Sequence, residues 1–329
     1  MEATLLAAKN LAAFLEEVER RIESGELSEA LLLCRQALEQ LPEHERSSRV
    51  RIELEMANAY LRLKDPKVFD LLNRIPVQTD LERAIWLVRY GSALLRLHGD
   101  SAGAREQFER AYLLFRELHE YDWMVRVMTN IGNTYRAEHN FEQAQEAYSR
   151  AYNLAKRHGL RRRFVFIFNN KGVCFQDENR FDEAEDYLKR AYTLARELGD
   201  RLMEATTLAN LADLYEAMGY FGLALEYYRA ALQLYRELGA IRDYERKYAA
   251  YERCKDKLER LDIAKVLGFM DLQELRQRYV TGLVDGFIGI PGIRNQSDIG
   301  RRIGLTRQAI HKNVRQYRRI QFRKNEEEL

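Results

Sequence analysis

Proline is nearly missing from this chain. Among 329 residues only Pro42, Pro66, Pro76 and Pro291 occur, so residues 77–290 run without one. Glycine is also sparse, at 18. So long a stretch without proline, rich in Ala, Leu, Glu and Arg, predicts consecutive helices. Cysteine is limited to Cys34, Cys174 and Cys254, isolated, odd in number and without CxxC spacing. These read as small apolar helix residues in a reducing compartment. No apolar run approaches the roughly 18 residues that cross a bilayer. The N-terminus, with Glu2 early and Lys9 splitting a short apolar run, does not read as a signal peptide. A cytoplasmic protein with no membrane partner is expected.

The signatures of catalysis are missing too. There is no GxxxxGK[ST] phosphate loop and no HExxH. The glycine-rich stretch from Gly282 to Gly292 lacks the strand–helix context of a dinucleotide site. The histidines His44, His98, His119, His139, His158 and His311 have no Cys or His partner at metal spacing. Acid pairs such as Glu183 and Glu185 belong to exposed helix faces. The expectation is a non-enzymatic chain with no cofactor and no metal.

What the chain does have is a period. The pairs Ala104/Ala111, Ala144/Ala151, Ala184/Ala191 and Ala224/Ala231 recur every 40 residues, enclosing Phe108, Tyr148, Leu188 and Tyr228 respectively. A period in this range means stacked supersecondary units. In the clearest unit, residues 128–159, Ile131, Gly132 and Tyr135 mark a first helix and Asn140 the turn. Ala144, Tyr148 and Ala151 mark the second helix. Small residues let two backbones approach, and the tyrosines fill the remaining space. The pattern resembles the tetratricopeptide repeat, L-G-x2-Y followed by A-x3-F/Y-x2-A, in its 40-residue subtype with a Leu198-Gly199-Asp200 type turn. Copies fall at Gly91, Gly132, Gly172 and Ala212, the first with one extra turn residue near Gly99–Gly103. Ala30, Cys34 and Ala37, then Ala57 and Tyr60, mark two degenerate copies upstream, and residues 241–262 read as a polar-faced capping helix. The resemblance implies an all-α, right-handed superhelical solenoid over residues 1–262, with residues 263–329 as a separate small domain.

The same resemblance places the first helix of each pair on the concave surface. Asn130, Asn170 and Asn210 share one repeat position, with Arg89 at the equivalent place one copy earlier, where it is expected to add a carboxylate-binding end to the groove. Helical spacing sets Arg126 and Asn133 beside Asn130, Phe166 and Asp177 beside Asn170, and Thr206 and Asp213 beside Asn210. An amide both donates and accepts, which suits the backbone of an extended peptide. The alternative is that these amides bond neighbouring helices. The run Lys156, Arg157, His158, Arg161, Arg162 and Arg163 falls at an inter-repeat loop and reads as a solvated edge, with a site for an acidic partner or phosphate as the alternative.

Formal net charge is only +2. Yet residues 294–324 carry ten Lys or Arg against one acid, Asp298. Residues 296–317 resemble a helix-turn-helix DNA reader. Gly300 stands at the helix crossing and Gly304 in the turn, with Ile299, Ile303, Leu305 and Ile310 as the small core. Asn313 departs from the usual apolar residue. The resemblance leaves Thr306, Arg307, Gln308, His311, Lys312 and Arg315 on the open face, with Arg318 and Arg319 extending the positive field toward double-stranded DNA. The sequence therefore reads as a DNA-binding transcription regulator, expected to be a homodimer, whose repeat groove binds a peptide or protein effector. The alternative is a scaffold or adaptor that uses the groove for a protein partner and the basic end for electrostatic docking.

Overall fold

The computed structural model describes residues 11–266, and every regular element among them is helical. Thirteen α-helices follow one another: α1 Leu11–Ser24, α2 Leu27–Gln40, α3 Arg46–Arg62, α4 Lys67–Arg74, α5 Asp80–Ala93, α6 Ser101–Glu117, α7 Tyr121–Ala137, α8 Phe141–Arg157, α9 Arg163–Asp177, α10 Phe181–Glu197, α11 Arg201–Ala217, α12 Phe221–Glu237 and α13 Ile241–Val266. They form six consecutive pairs and one long terminal helix. The second pair is shortened by α4, where Pro66 and Pro76 bracket the helix.

The alanine pairs sit at the closest helix contacts. All eight alanines are completely buried, as are Phe108, Tyr148 and Leu188, with Tyr228 at 1 % exposure. A Cβ placed on Gly132 would lie 2.5 Å from the Tyr148 ring, and one on Gly172 would lie 2.7 Å from Leu188 Cγ. These glycines are small because their helix packs directly onto the large residue of its partner.

Helix ends follow the local chemistry. Thr79 and Glu82 form a capping box at α5, and the Glu82 carboxylate also accepts from Ser47 Oγ at 2.7 Å. Asp100 caps α6 and Asn140 caps α8. The extra residue of the Gly91 copy is absorbed just before Gly99, where Leu94–His98 winds as a π-turn.

The chain divides into two compact units, Met1–Thr207 with Tyr235–Arg242, and Leu208–Leu234 with Asp243–Leu329. In the second, Tyr215 and Tyr227 stack at 5.2 Å, and Lys257 Nζ bonds Glu216 at 2.7 Å. Helix α13 continues to Val266, past the boundary expected at residue 262. The expected helix-turn-helix, with Thr306, Arg307, Gln308, His311, Lys312, Arg315, Arg318 and Arg319, lies outside the described residues. No helix among those described is long and apolar enough to cross a membrane.

Candidate functional site

In the first unit the odd-numbered helices converge on a cavity of about 330 Å³. Its wall takes residues from α1, α3, α5, α7, α9 and the start of α11, the first helix of every pair. Only Phe108 comes from a second helix. The period explains this. Second helices pack their alanines and the enclosed large residue on the first helix of their own pair, as Ala104 and Phe108 do on Gly91 and Ala184 and Leu188 on Gly172, so the first helices keep another face for the cavity.

The wall is polar and positive. Arg62, Arg89, Arg96, Arg126 and Arg163 line it, against two carboxylates, Glu19 and Asp200. Asn58, Asn130, Asn133, Asn169 and Asn170 supply amides. Among the described residues the side-chain amides of Asn130 and Asn170 make no hydrogen bond, although both face the cavity. Asn133 differs, because its Oδ1 accepts the Tyr148 hydroxyl at 2.7 Å. Burial raises the Tyr148 pKa, so this hydroxyl stays a donor.

The arginines are held from behind. Asp122 accepts from Arg163 through both oxygens, at 2.5 and 2.7 Å, and from Arg126 Nε at 3.0 Å. Burial pushes the Asp122 carboxyl up, but the two guanidiniums outweigh it and hold it below the ordinary carboxylate range. Arg89 Nη2 bonds Glu55 at 2.9 Å, while its Nε is buried without an acceptor. The Trp123 ring carries Arg126 at 4.8 Å and Arg89 at 5.5 Å from its centroid.

Of the residues singled out from the sequence, Arg89, Arg126, Asn130, Asn133 and Asn170 meet at this cavity, with Phe166 and Thr206. Asp177 is not on its wall; it bonds Arg136 Nη1 at 2.9 Å. Asn210 and Asp213 belong to the second unit, where Asp213 accepts the Tyr228 hydroxyl at 2.5 Å and pairs with Lys247. Arg163 corrects an expectation. It is not part of a solvated edge, since its side chain is 15 % exposed and Asp122 draws it inward. Arg161 fits that expectation, at 63 % exposure on Glu197. Sequence reasoning also missed Glu19, Asp122 and Trp123. A 41-residue spacing between Asp122 and Arg163, close to the repeat period, was the available signal for one of them.

The three thiols are buried, and burial pushes each up to about 12. Among the described residues no group of three His, Cys, Asp or Glu is placed to hold a metal ion.

Residues 82–157 and 165–237 match the tetratricopeptide repeat family model. No curated protein matches the sequence. Among solved structures, a Rap protein complexed with Competence and Sporulation Factor is similar, with a TM-score of 0.57 at 17 % identity over 84 % of this chain and 77 % of that one. Aspartyl phosphate phosphatase F from Bacillus subtilis is similar at TM-score 0.52 and 14 % identity, over 94 % of both chains. A signal-transduction ATPase with a tetratricopeptide repeat sensor from Pyrococcus horikoshii gives 0.54 at 12 % identity, over 84 % of this chain and 41 % of that one. At such identities the likeness is one of fold. Residues 82–157 and 165–237 therefore carry tetratricopeptide repeats within a run of paired helices.

Proposed function

We propose that this chain is a cytoplasmic, non-enzymatic transcription regulator. Its repeat cavity takes a peptide or protein effector, and its basic C-terminal segment binds double-stranded DNA as a homodimer. One observation carries the effector half: Asn130 and Asn170 present unbonded amides, 40 residues apart, into one arginine-lined cavity. Amides so placed suit an extended backbone, which offers a donor and an acceptor at each residue. The similar Rap protein in complex with Competence and Sporulation Factor supports a ligand-binding role for such an array. The DNA half is supported by sequence, through the helix-turn-helix resemblance and the ten Lys or Arg of residues 294–324.

The test is retardation of duplex DNA selected from genomic fragments, in the presence of competitor. The full chain should hold a preferred duplex. Arg307→Ala should lose ~1–3 kcal/mol on it and relax specificity, while Lys312→Ala weakens all sequences alike. Light scattering should give a dimer. If Arg307→Ala binds every duplex as well as the parent, the helix-turn-helix reading is wrong and the adaptor reading takes its place.

A further inference from the structure

Glu19 is a carboxylate that α1 does not need for its own docking. The helix is anchored by Phe14, Val18 and Ile22, each at most 1 % exposed. Glu19 instead turns to the cavity and accepts from Arg126 Nη2 at 2.7 Å, across 107 residues of sequence. Burial pushes its carboxyl up, but Arg126, with Arg89 and Arg163 adding their fields, holds it below the ordinary range. It is therefore an anion seated on guanidiniums.

The receiving arginines are built as a receptor. Trp123 supports Arg89 and Arg126, whose guanidinium carbons lie 5.5 and 4.8 Å from its ring centroid. Glu55 and Asp122 hold them from outside the cavity wall. Arg89 is only 7 % exposed, yet its one hydrogen bond among the described residues runs from Nη2 to Glu55, and its Nε has no acceptor. A guanidinium carries five donors in a planar fork matched to a carboxylate, so this one is underused. Val88 and Leu95 add apolar wall on the same cavity, and Asn130 and Asn170 add amides.

We propose that Arg89 and Arg126 form a carboxylate-binding subsite, that Glu19 is its tethered occupant, and that a ligand enters by putting its own carboxylate in place of Glu19. The proposal deepens the effector reading above and rests on it only for the identity of the ligand. The ligand is an acid with an apolar portion, and an acidic peptide and a small dicarboxylic acid share that chemistry. A tethered competitor acts at high effective concentration, so removing it should tighten binding of any free carboxylate.

The test is calorimetric titration of the full chain with glutarate, a free dicarboxylate close to the Glu19 side chain. A second arm uses N-acetyl-Leu-Glu-Leu-amide, with its Gln counterpart as control. Glu19→Gln should bind the acids at least about tenfold more tightly than the parent, and adding Arg126→Gln or Arg89→Gln should remove the gain. Glu19→Ala, with helicity checked by circular dichroism, guards against an artefact of the amide. Glutarate binding without peptide binding would identify a small acid as the ligand class, and the reverse a peptide. Equal affinity in parent and Glu19→Gln overturns the proposal, as does failure of Glu19→Gln to bind either acid. Equal binding of the Glu and Gln peptides overturns it too, while leaving the peptide groove intact. None of these measurements involves DNA, so the regulator reading stands or falls separately.

Discussion

At the scale of single residues, the repeats solve one buried-hydroxyl problem in two ways. Tyr148 donates to Asn133, and Tyr228 donates to Asp213, with the same 15-residue separation. In the copy between them the large residue is Leu188, which has no hydroxyl, and the position matching Asn133 is Val173. A polar partner appears where a hydroxyl must be satisfied and disappears where none exists. Tyr148→Phe should therefore cost about 1 kcal/mol in urea denaturation, because Asn133 loses its donor. The pair Tyr148→Leu with Asn133→Val should recover part of the polar loss, leaving mainly the cost of the smaller side chain. Additive losses in that double variant would show that the bond contributes nothing beyond packing. The same comparison separates the amides by role: Asn133 is committed to its neighbour, whereas Asn130 and Asn170 are not.

At the scale of elements, 17-residue helices with three-residue turns set the rhythm, two helices to each 40 residues. The turns repeat a left-handed residue every 20 positions: His119, His139, Gly159, Asn179, Gly199, Gly219 and Gly239 all have positive φ. The next amide in each case bonds back to a carbonyl of the finished helix, as in Asp200 N to Ala195 O at 2.9 Å. Gly199 isolates the backbone contribution, since a Cβ there would meet nothing within 4 Å. Gly199→Ala should lower stability by ~1 kcal/mol, while Asn179→Gly should be close to neutral. A thermal midpoint unchanged in Gly199→Ala would mean that the turn relaxes. The helix pairs were legible in sequence because close packing demands small residues at fixed intervals, and such residues are easy to see. Glu19 was not legible, because its partner lies 107 residues away and outside the repeating pattern. Arg163 was hidden inside a charge run, where only the fold tells which arginine turns inward. Leu94–His98 was foreseen only as an extra residue near its actual place, since a π-turn leaves no composition signal.

At the scale of the molecule, the proposed regulator requires a route from an occupied cavity to the proposed DNA-binding segment. The cavity belongs to the first unit, and α13 runs 26 residues from Ile241 to Val266 toward the C-terminal segment. Within the second unit α13 is clasped by ion pairs, Lys247 with Asp213 and Lys257 with Glu216, the first with a lysine only 8 % exposed. Repeat arrays flex by small rotations between neighbours, so a ligand spanning several first helices would select one curvature. A continuous helix without proline or glycine between Ile241 and Val266 has little capacity to absorb such a change. In the proposed regulator, coupling of ordinary size, ~1–3 kcal/mol, would shift DNA affinity by about 5- to 150-fold. A Gly-Ser segment inserted after Asp262 should therefore leave ligand affinity and DNA affinity each as they are in isolation, and abolish the effect of one on the other. The measurement is duplex affinity with and without saturating ligand, for parent and insertion variant side by side. Coupling that survives the insertion unchanged would eliminate a mechanical route through α13 and leave direct contact between ligand and DNA reader as the explanation.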